Sequence, residues 1–167
     1  FHVDESFHAR YSALDRTYRY IILNQKYPST YLLENVLHFD KKINISKIRS
    51  TFKYFKGEKD YSCFRSSGCS AKSAIKHIKS IKISRNNNLI YIDITSNSFL
   101  YHMVRNIVGS LLDVGILKYN PDSIDTLINS LDRKLCGKMV PASGLYLMTA
   151  SYPKKYKISS NTKFSFF

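Results

Sequence analysis

The segment IKHIKSIKISRNNNLIYIDI, residues 75–94, decides the predicted fold. Apolar and basic residues alternate from Ile75 to Ile83, and a second alternating run follows from Leu89 to Ile94. Alternation with a period of two is typical of strands that bury one face. Because the residues between the runs, Arg85 to Asn88, favour a turn, the segment predicts a β-hairpin with one apolar and one basic face.

Three helices are predicted from apolar residues that recur at helical spacing. They run from Ile45 to Gly57, from Phe99 to Leu117, and from Pro121 toward Ser130. Asn44 is a candidate N-cap for the first helix, and Asn97 or Ser98 can cap the second. The second helix carries a wide apolar stripe, so we expect it to pack on the sheet.

Further strands are predicted outside the hairpin, at Arg16–Asn24, Val36–Phe39 and Gly144–Ser151. The main order is then strand, helix, strand, strand, helix, strand, which is the ferredoxin-like or RRM-like α+β arrangement of an antiparallel sheet with helices on one face. The polar stretch Lys59–Ser73 is predicted to be an exposed loop that binds a ligand. Such a fold does not by itself fix a function.

The length and composition predict one domain. We assign residues 1–153 to this domain and expect the basic and aromatic tail, 154–167, to be poorly ordered unless its phenylalanines dock. No apolar run approaches the roughly 20 residues that cross a bilayer, and no secretory signal is visible, so we expect a soluble cytoplasmic protein. Cys63, Cys69 and Cys136 lack the close pairs of zinc sites, so neither a metal nor a disulfide framework is predicted.

The net charge is strongly positive, at +14 from 26 basic and 12 acidic residues. A field of this size attracts polyanions, and nucleic acid is the leading predicted partner. An alternative is that the abundance of Lys, Ile, Asn and Tyr reflects biased base composition in the gene, with the lysines only solvating the surface.

Arg105 lies within the apolar stripe of the second predicted helix, beside residues such as Leu112 at helical spacing. Its guanidinium should be partly withdrawn from water, and an unpaired buried charge costs about 3–5 kcal/mol. Asp93 and Asp113 are candidate partners within the chain, and an acid from a segment outside it is another. The alternative is an ordinary helix arginine that reaches the surface.

The stretch FLYHMVRNIVG, Phe99–Gly109, resembles the motif of the tRNA pseudouridine synthase A (TruA) family whose arginine pairs with the catalytic aspartate. Four other stretches match the same family in the same order. They are FHARYS at 7–12, RTYRY at 16–20, DYSCFR at 60–65 and GLYL at 144–147. Each match alone is weak, but together they span nearly the whole chain.

The resemblance implies the C-terminal lobe of an isomerase that converts uridine to pseudouridine in the anticodon arm of tRNA, at tRNA positions 38–40. It also implies a homodimer that binds tRNA and needs neither cofactor nor metal. In the family the nucleophilic aspartate lies in a Gly-Arg-Thr-Asp-Ala-Gly motif upstream of the FHAR segment, and no such motif occurs in this sequence. We therefore expect this chain alone to be inactive. A non-catalytic RNA-binding remnant and a ferredoxin-like structural domain are the alternatives.

The resemblance also assigns site residues. Arg105 and Tyr18 are the implied catalytic residues, with the Tyr18 ring stacking on the target base; the alternative for Tyr18 is a strand tyrosine that fills the core. Leu145 and Leu147 are implied to line the substrate pocket. The implied RNA contacts are Phe7, His8, Ala9, Arg10, Tyr11, Phe64, Arg65, Gly68, Cys69, Ser70, Ala71, Lys72, Lys76 and His102. Of these, the arginines and lysines would contact phosphates, and His8, Phe64 and His102 would contact flipped-out nucleotides; the alternative for each histidine is a structural residue whose ring is satisfied within the fold.

Overall fold

A computed structural model describes residues 4–32 and 34–158 as an α+β fold, which confirms the predicted fold class. The strands are β1 (Asp15–Asn24), β2 (Leu37–Phe39), β3 (Gly57–Asp60), β4 (Ile75–Asn86), β5 (Leu89–Ser96) and β6 (Leu145–Ser151). The helices are α1 (Ile45–Ser50), α2 (Phe52–Phe55), α3 (Met103–Gly115) and α4 (Ser123–Ser130). No helix of the described residues has the length and apolar character that crossing a membrane requires.

The strands form one sheet in the order β2-β1-β5-β4-β3, with β6 also paired to β1. Along the edge of β1 that faces away from β5, β6 pairs with residues 15–20 and β2 pairs with residues 22–24. The β1–β2 pair is parallel and the other pairs are antiparallel, so the sheet is mixed and not wholly antiparallel as predicted. The reason is the connection from β1 to β2, whose length of about a dozen residues suffices for a return crossover.

The main core lies between one face of the sheet and the helices. The sheet contributes Tyr20, Ile22, Ile78, Ile81, Ile83, Ile90, Ile92 and Ile94, and α3 contributes Met103, Val104, Ile107, Val108, Leu111, Leu112 and Val114. Full burial of one such side chain stabilises the fold by about 1.5–3 kcal/mol. A smaller cluster of Ile21, Leu23, Val36 and Tyr91 lies apart from this core. Because side chains alternate along a strand, Arg19 and Ile21 of β1 face this second cluster while Tyr18 and Tyr20 face the helices.

The predicted hairpin is confirmed, but its register contains an irregularity. A β-bulge between Ile78 and Ser80 places Ile78 and Ile81 on the same face, although they are three positions apart in the chain. Before the bulge the predicted faces are exchanged: Ile75, predicted on the apolar face, is 52% exposed, and Lys76, predicted on the basic face, is only 9% exposed. One extra residue in a strand shifts every following side chain to the other face.

Helix α3 is confirmed but begins at Met103, four residues later than predicted. Its N-cap is His102, which has a φ of 60° and makes no capping hydrogen bond with its side chain. The prediction that Asn97 or Ser98 caps the helix is wrong. Both residues instead close the turn after β5, where Asn97 Oδ1 accepts from the backbone N–H of His77 at 3.0 Å and the carbonyl of Ser98 accepts from the Ser96 hydroxyl.

The first predicted helix is divided into α1 and α2, and its predicted cap is confirmed. The side chain of Asn44 accepts from the backbone N–H of Lys47 at 3.1 Å. The stretch predicted as an exposed loop begins differently. It contains the end of β3 and the fully buried Tyr61, Cys63 and Phe64. Only its second half, residues 65–73, is a loop, which we call the surface loop.

The predicted tail lies mostly beyond the described residues. Lys154–Tyr156 form a single turn of 3-10 helix. Phe164, Phe166 and Phe167 lie outside the described residues, and the predicted disorder of the tail stays a prediction.

Candidate active site

Two neighbouring strands, β1 and β6, form an apolar strip that faces the helix layer. Tyr18 lies opposite Leu147, and Tyr20 lies opposite Leu145. Residues directly opposite each other in an antiparallel pair project from the same face. Tyr18 also contacts the ring of Phe99 edge-on, with centroids 5.2 Å apart. Leu145 packs against the core whereas Leu147 is 55% exposed, so the strip is open at the Tyr18–Leu147 end.

Arg105 of α3 lies on the same side of the sheet. Its Nε donates to the carbonyl of Val140 at 2.7 Å, and the hydroxyl of Tyr20 donates to the next carbonyl, that of Pro141, at 2.7 Å. Burial raises the pKa of Tyr20, and the charge of Arg105 acts in the opposite direction, which reflects their proximity. Arg105 and Tyr18 therefore face the same layer, as their predicted joint role requires.

Both acids predicted as possible partners of Arg105 are engaged elsewhere. Asp93 projects from the opposite face of the sheet, where Arg19 binds it with two hydrogen bonds of 2.7 and 2.8 Å. Asp113 forms an ion pair with Lys118 at 3.3 Å. Within residues 4–32 and 34–158, no carboxylate forms an ion pair with Arg105. The guanidinium of Arg105 is thus half-buried near Tyr20, and among the described residues its one hydrogen-bond partner is the carbonyl of Val140.

Two glycines allow the segment that carries Val140 to approach α3 closely. A Cβ on Gly109 of α3 would lie 2.0 Å from the carbonyl oxygen of Lys138, and a Cβ on Gly137 would lie 2.9 Å from the backbone of Gly109 and Ser110. Both distances are shorter than a van der Waals contact permits. Backbone packing therefore sets the position of the carbonyl that orients Arg105.

Asn106, the residue after Arg105, is a fully buried polar side chain that joins three segments. Its amide donates to the carbonyl of Phe64 at 2.8 Å and to the hydroxyl of Ser66 at 3.2 Å. Its Oδ1 accepts from Arg133 at 2.9 Å. The role of Asn106 could not be predicted from the sequence, because an asparagine within an apolar stripe gives no signal of the segments it binds.

The N-terminal segment predicted to contact RNA is anchored by Phe7. The Phe7 ring packs edge-on against Tyr152 and Tyr156, with centroid distances of 5.1 and 5.0 Å. The hydroxyl of Tyr152 donates to the carbonyl of Ala9 at 2.9 Å. Phe7 therefore attaches the segment to the region after β6, and its ring is half-buried.

The exposed part of this segment is a turn organised by His8. Its Nδ1 accepts from the backbone N–H groups of Arg10 and Tyr11, at 3.1 and 3.3 Å. The guanidinium of Arg16 donates to the carbonyls of Arg10 and Asn97, which links the turn to the one that precedes α3. The side chains of Arg10 and Tyr11 remain exposed.

Arg65 and Lys76 donate hydrogen bonds to backbone carbonyls of the surface loop and of the residues next to it. Arg65 donates to the carbonyls of Cys69 and Ala71, each at 2.9 Å. The ammonium of the buried Lys76 donates to the carbonyls of Ser73 and Ile75, at 2.7 and 3.0 Å. Both cations thus bind the chain's own carbonyls in this structure, and their contacts with phosphates stay predictions. The exposed predicted contacts of the loop are Gly68, Ser70 and Lys72.

The aromatic residue predicted to contact a nucleotide in this region is Phe64, which directly precedes the surface loop. Phe64 is fully buried, packed near Phe55 and Tyr61, because the backbone before it belongs to the core. The contact of Phe64 with a nucleotide stays a prediction, and it requires the ring to leave the core. Tyr101, which the sequence motifs did not indicate as an RNA contact, is 52% exposed and stacks on the predicted contact His102 at a centroid distance of 3.7 Å.

Comparison with known proteins identifies the same family as the sequence motifs. A family model described as tRNA pseudouridine synthase matches residues 51–153. The tRNA pseudouridine synthase A of Buchnera aphidicola (subsp. Acyrthosiphon pisum, strain Tuc7) is 41% identical over 165 residues, which are 99% of this chain and 62% of that protein. The protein of the same name from Hydrogenovibrio crunogenus is 39% identical over 154 residues, 92% of this chain and 59% of the relative. The chain therefore spans about three fifths of the length of these curated relatives.

Proposed function

The chain belongs to the tRNA pseudouridine synthase family, and from this premise we propose that it forms the larger part of an enzyme that isomerises uridine to pseudouridine in tRNA. The observation that carries the proposal is the environment of Arg105. Its guanidinium is half-buried beside an apolar strip, and neither candidate acid of the chain is paired with it. Such a group is suited to bind a carboxylate that another segment supplies.

The isomerisation needs few groups from this chain. The bond between the ribose and N1 of uracil breaks and a bond from the ribose to C5 forms; the proton on C5 leaves, and N1 takes up a proton, so that the formula of the nucleoside is unchanged. An aspartate from the part of the relatives that this chain does not span acts as the nucleophile, and Arg105 orients it and favours its ionised form. Tyr18, on the floor of the site, stacks on the uracil and offers its hydroxyl as hydrogen-bond partner or proton acceptor.

The apolar strip has a role in the same step. Leu145 and Leu147 lie opposite Tyr20 and Tyr18, and once bound RNA covers the open Tyr18–Leu147 end, the two leucines help to exclude water from the site. Lower local polarity strengthens the attraction between the guanidinium of Arg105 and a carboxylate. The apolar surface of the two leucines therefore serves both packing and catalysis, because in both roles it keeps water away.

The substrate of the proposed reaction is the anticodon arm of tRNA. The net charge of +14 favours binding of a polyanion, and Arg10, Tyr11 and Lys72 are exposed groups suited to phosphates and sugars. Modification of tRNA positions 38–40, a homodimer bridged by tRNA, and a cytoplasmic location belong to the proposal through the resemblance to the family.

The test joins this chain to the segment of the Buchnera relative that it does not match. Pseudouridine formation in an unmodified tRNA is measured by mass spectrometry for the chain alone and for the fusion. We expect turnover only in the fusion, and Arg105→Ala in the fusion should reduce turnover on the order of a hundredfold or more. Arg49→Ala, which removes an exposed arginine of α1, is the matched control and should leave turnover unchanged.

Two results would contradict parts of the proposal. A fusion that folds and binds tRNA but forms no pseudouridine favours the alternative of a non-catalytic RNA-binding remnant. Near-normal turnover of the Arg105→Ala fusion would instead show that Arg105 has no part in the reaction.

A further inference from the structure

An exposed aromatic pair, Tyr101 and His102, lies beside the candidate active site. The two rings stack with centroids 3.7 Å apart and an angle of 28° between their planes. His102 also lies close to Arg105. Burial, followed by the charge of Arg105, lowers the pKa of His102 and so favours its neutral imidazole. The pair is thus an uncharged aromatic surface next to the arginine of the site.

The backbone conformation of His102 produces this stack. Neighbouring side chains point to opposite faces of a strand and diverge by about 100° around a helix, so consecutive rings do not stack in regular structure. His102 has a φ of 60°, and this left-handed turn brings its ring against that of Tyr101. A residue other than glycine in this conformation costs free energy and persists only where its surroundings fix it. Conformations of this kind are concentrated at ligand-binding sites.

The surroundings hold the main chain of Tyr101 in place. Its N–H donates to the Sγ of Cys69 at 3.3 Å, and its carbonyl accepts from the N–H of Ser66 at 3.3 Å. The residues on either side of the pair, Leu100 and Met103, are buried in the core. The ring of Tyr101 is therefore presented at a fixed position between α3 and the surface loop.

One face of the Tyr101 ring is covered and the other is open. His102 covers the first face, and the side chain as a whole is 52% exposed. Among the described residues, no other aromatic ring contacts Tyr101, and its hydroxyl has no hydrogen-bond partner. A flat, exposed and preorganised ring beside a cation suits the flat ring of an unpaired nucleobase, which gains stacking energy on either face.

We propose that Tyr101 stacks on an unpaired nucleobase of the bound RNA, adjacent to the reacting uridine, and that His102 supports its ring from behind. This inference rests on the proposed function, because it takes RNA as the substrate. It assigns to Tyr101 a role that Phe64 cannot fill while its ring is buried in the core.

The test measures binding of the full chain to an anticodon stem-loop RNA whose unpaired positions carry 2-aminopurine, one position at a time. Stacking on an aromatic ring quenches the fluorescence of this base. We expect quenching at one position for the wild type and for Tyr101→Phe, and loss of that quenching for Tyr101→Leu. The affinity of Tyr101→Leu should fall roughly 5- to 150-fold. Tyr31→Leu, which removes a tyrosine that is 91% exposed in the β1–β2 connection, should behave as the wild type.

The outcomes separate this inference from the proposed function. Unchanged affinity and quenching in Tyr101→Leu overturn the stacking role and leave the proposed reaction intact. Failure of both the wild-type chain and the fusion to bind the RNA contradicts both. Binding that depends on Tyr101, in a fusion that forms no pseudouridine, supports the stacking role and contradicts only the proposed catalysis.

Discussion

At the scale of single residues, the three cysteines occupy different electrostatic environments. Burial raises the pKa of the Cys63 thiol to about 12 and also raises that of Cys136. At Cys69 burial acts in the same direction, but hydrogen bonds from the backbone N–H groups of Tyr101 and Ala71 and the charge of Arg65 outweigh it. The pKa of Cys69 therefore lies below the ordinary value of a thiol.

These environments predict an order of reactivity, because the thiolate is the reactive form. At pH 7 iodoacetamide should alkylate Cys69 first, Cys136 more slowly and Cys63 last. Since the thiolate fraction rises as pH rises through the pKa, the rate at Cys69 should reach half its maximum at a lower pH than that of an ordinary thiol. Mass spectrometry of tryptic peptides after timed alkylation measures this order. Unfolding the chain in urea is the control, and it should make the three rates similar; faster alkylation of Cys63 in the native protein would contradict the burial described here.

At the scale of elements, the close approach of α3 to the segment that carries Val140 predicts the effect of a single methyl group. Gly109→Ala places a Cβ at 2.0 Å from the carbonyl oxygen of Lys138, so the backbone must move. We expect a loss of about 1–3 kcal/mol in the free energy of unfolding, measured by urea denaturation. Gly115→Ala in the same helix is the control. Its Cβ meets the side-chain methyl of Ile48 at 2.8 Å, which can shift, so its cost should be smaller. Equal stability of Gly109→Ala and the wild type would show that this approach is looser than described.

The hydrogen bonds of Asn106, in the same helix, lead to a second prediction about stability. Asn106→Ala leaves the carbonyl of Phe64 and the guanidinium of Arg133 without their buried partner. An unsatisfied buried polar group costs about 1–3 kcal/mol, so the free energy of unfolding should fall by at least that amount. Asn129→Ala, which removes an exposed hydrogen bond to Asp125, should cost less than about 0.5 kcal/mol. Hydrogen exchange adds a local readout, since the Asn106 variant should lose protection in the surface loop that Phe64 and Ser66 begin. Unchanged protection there would contradict the role of Asn106 in joining the three segments.

The elements also show where sequence patterns lose their predictive power. Periodicity identified the hairpin and α3, because each buries one continuous apolar face. Periodicity could not place the start of α3, because Phe99 and Leu100 continue the apolar stripe of the helix. The turn that precedes the helix depends on the contact of Asn97 with His77, which is distant in the sequence. Periodicity also assigned Lys76 to the solvent, because the bulge after Ile78 depends on pairing with β5 and has no local signal.

At the scale of the whole molecule, the sequence motifs identified the family, and the fold brings several of the predicted residues together. Tyr18, Leu145 and Leu147 share one face of two adjacent strands, and Arg105 faces the same layer. The RNA contacts were less predictable. Whether a cation reaches solvent depends on which carbonyls lie within its reach, and that follows from tertiary structure alone, as Arg65 illustrates.

The distinction between exposed and internal cations predicts how RNA binding responds to salt. If the net charge of +14 serves RNA binding, the logarithm of the binding constant falls linearly with the logarithm of the salt concentration, by about 0.7–0.9 per neutralised phosphate. Lys72→Ala and Arg10→Ala should each reduce this slope by roughly that amount, because both side chains are exposed. Lys76→Ala is the control and should leave the slope unchanged, since its ammonium already binds two carbonyls of the chain. Fluorescence anisotropy of a labelled anticodon stem-loop over a salt series measures these slopes. A flat response of the wild type would instead favour the view that its lysines only reflect the composition of the gene.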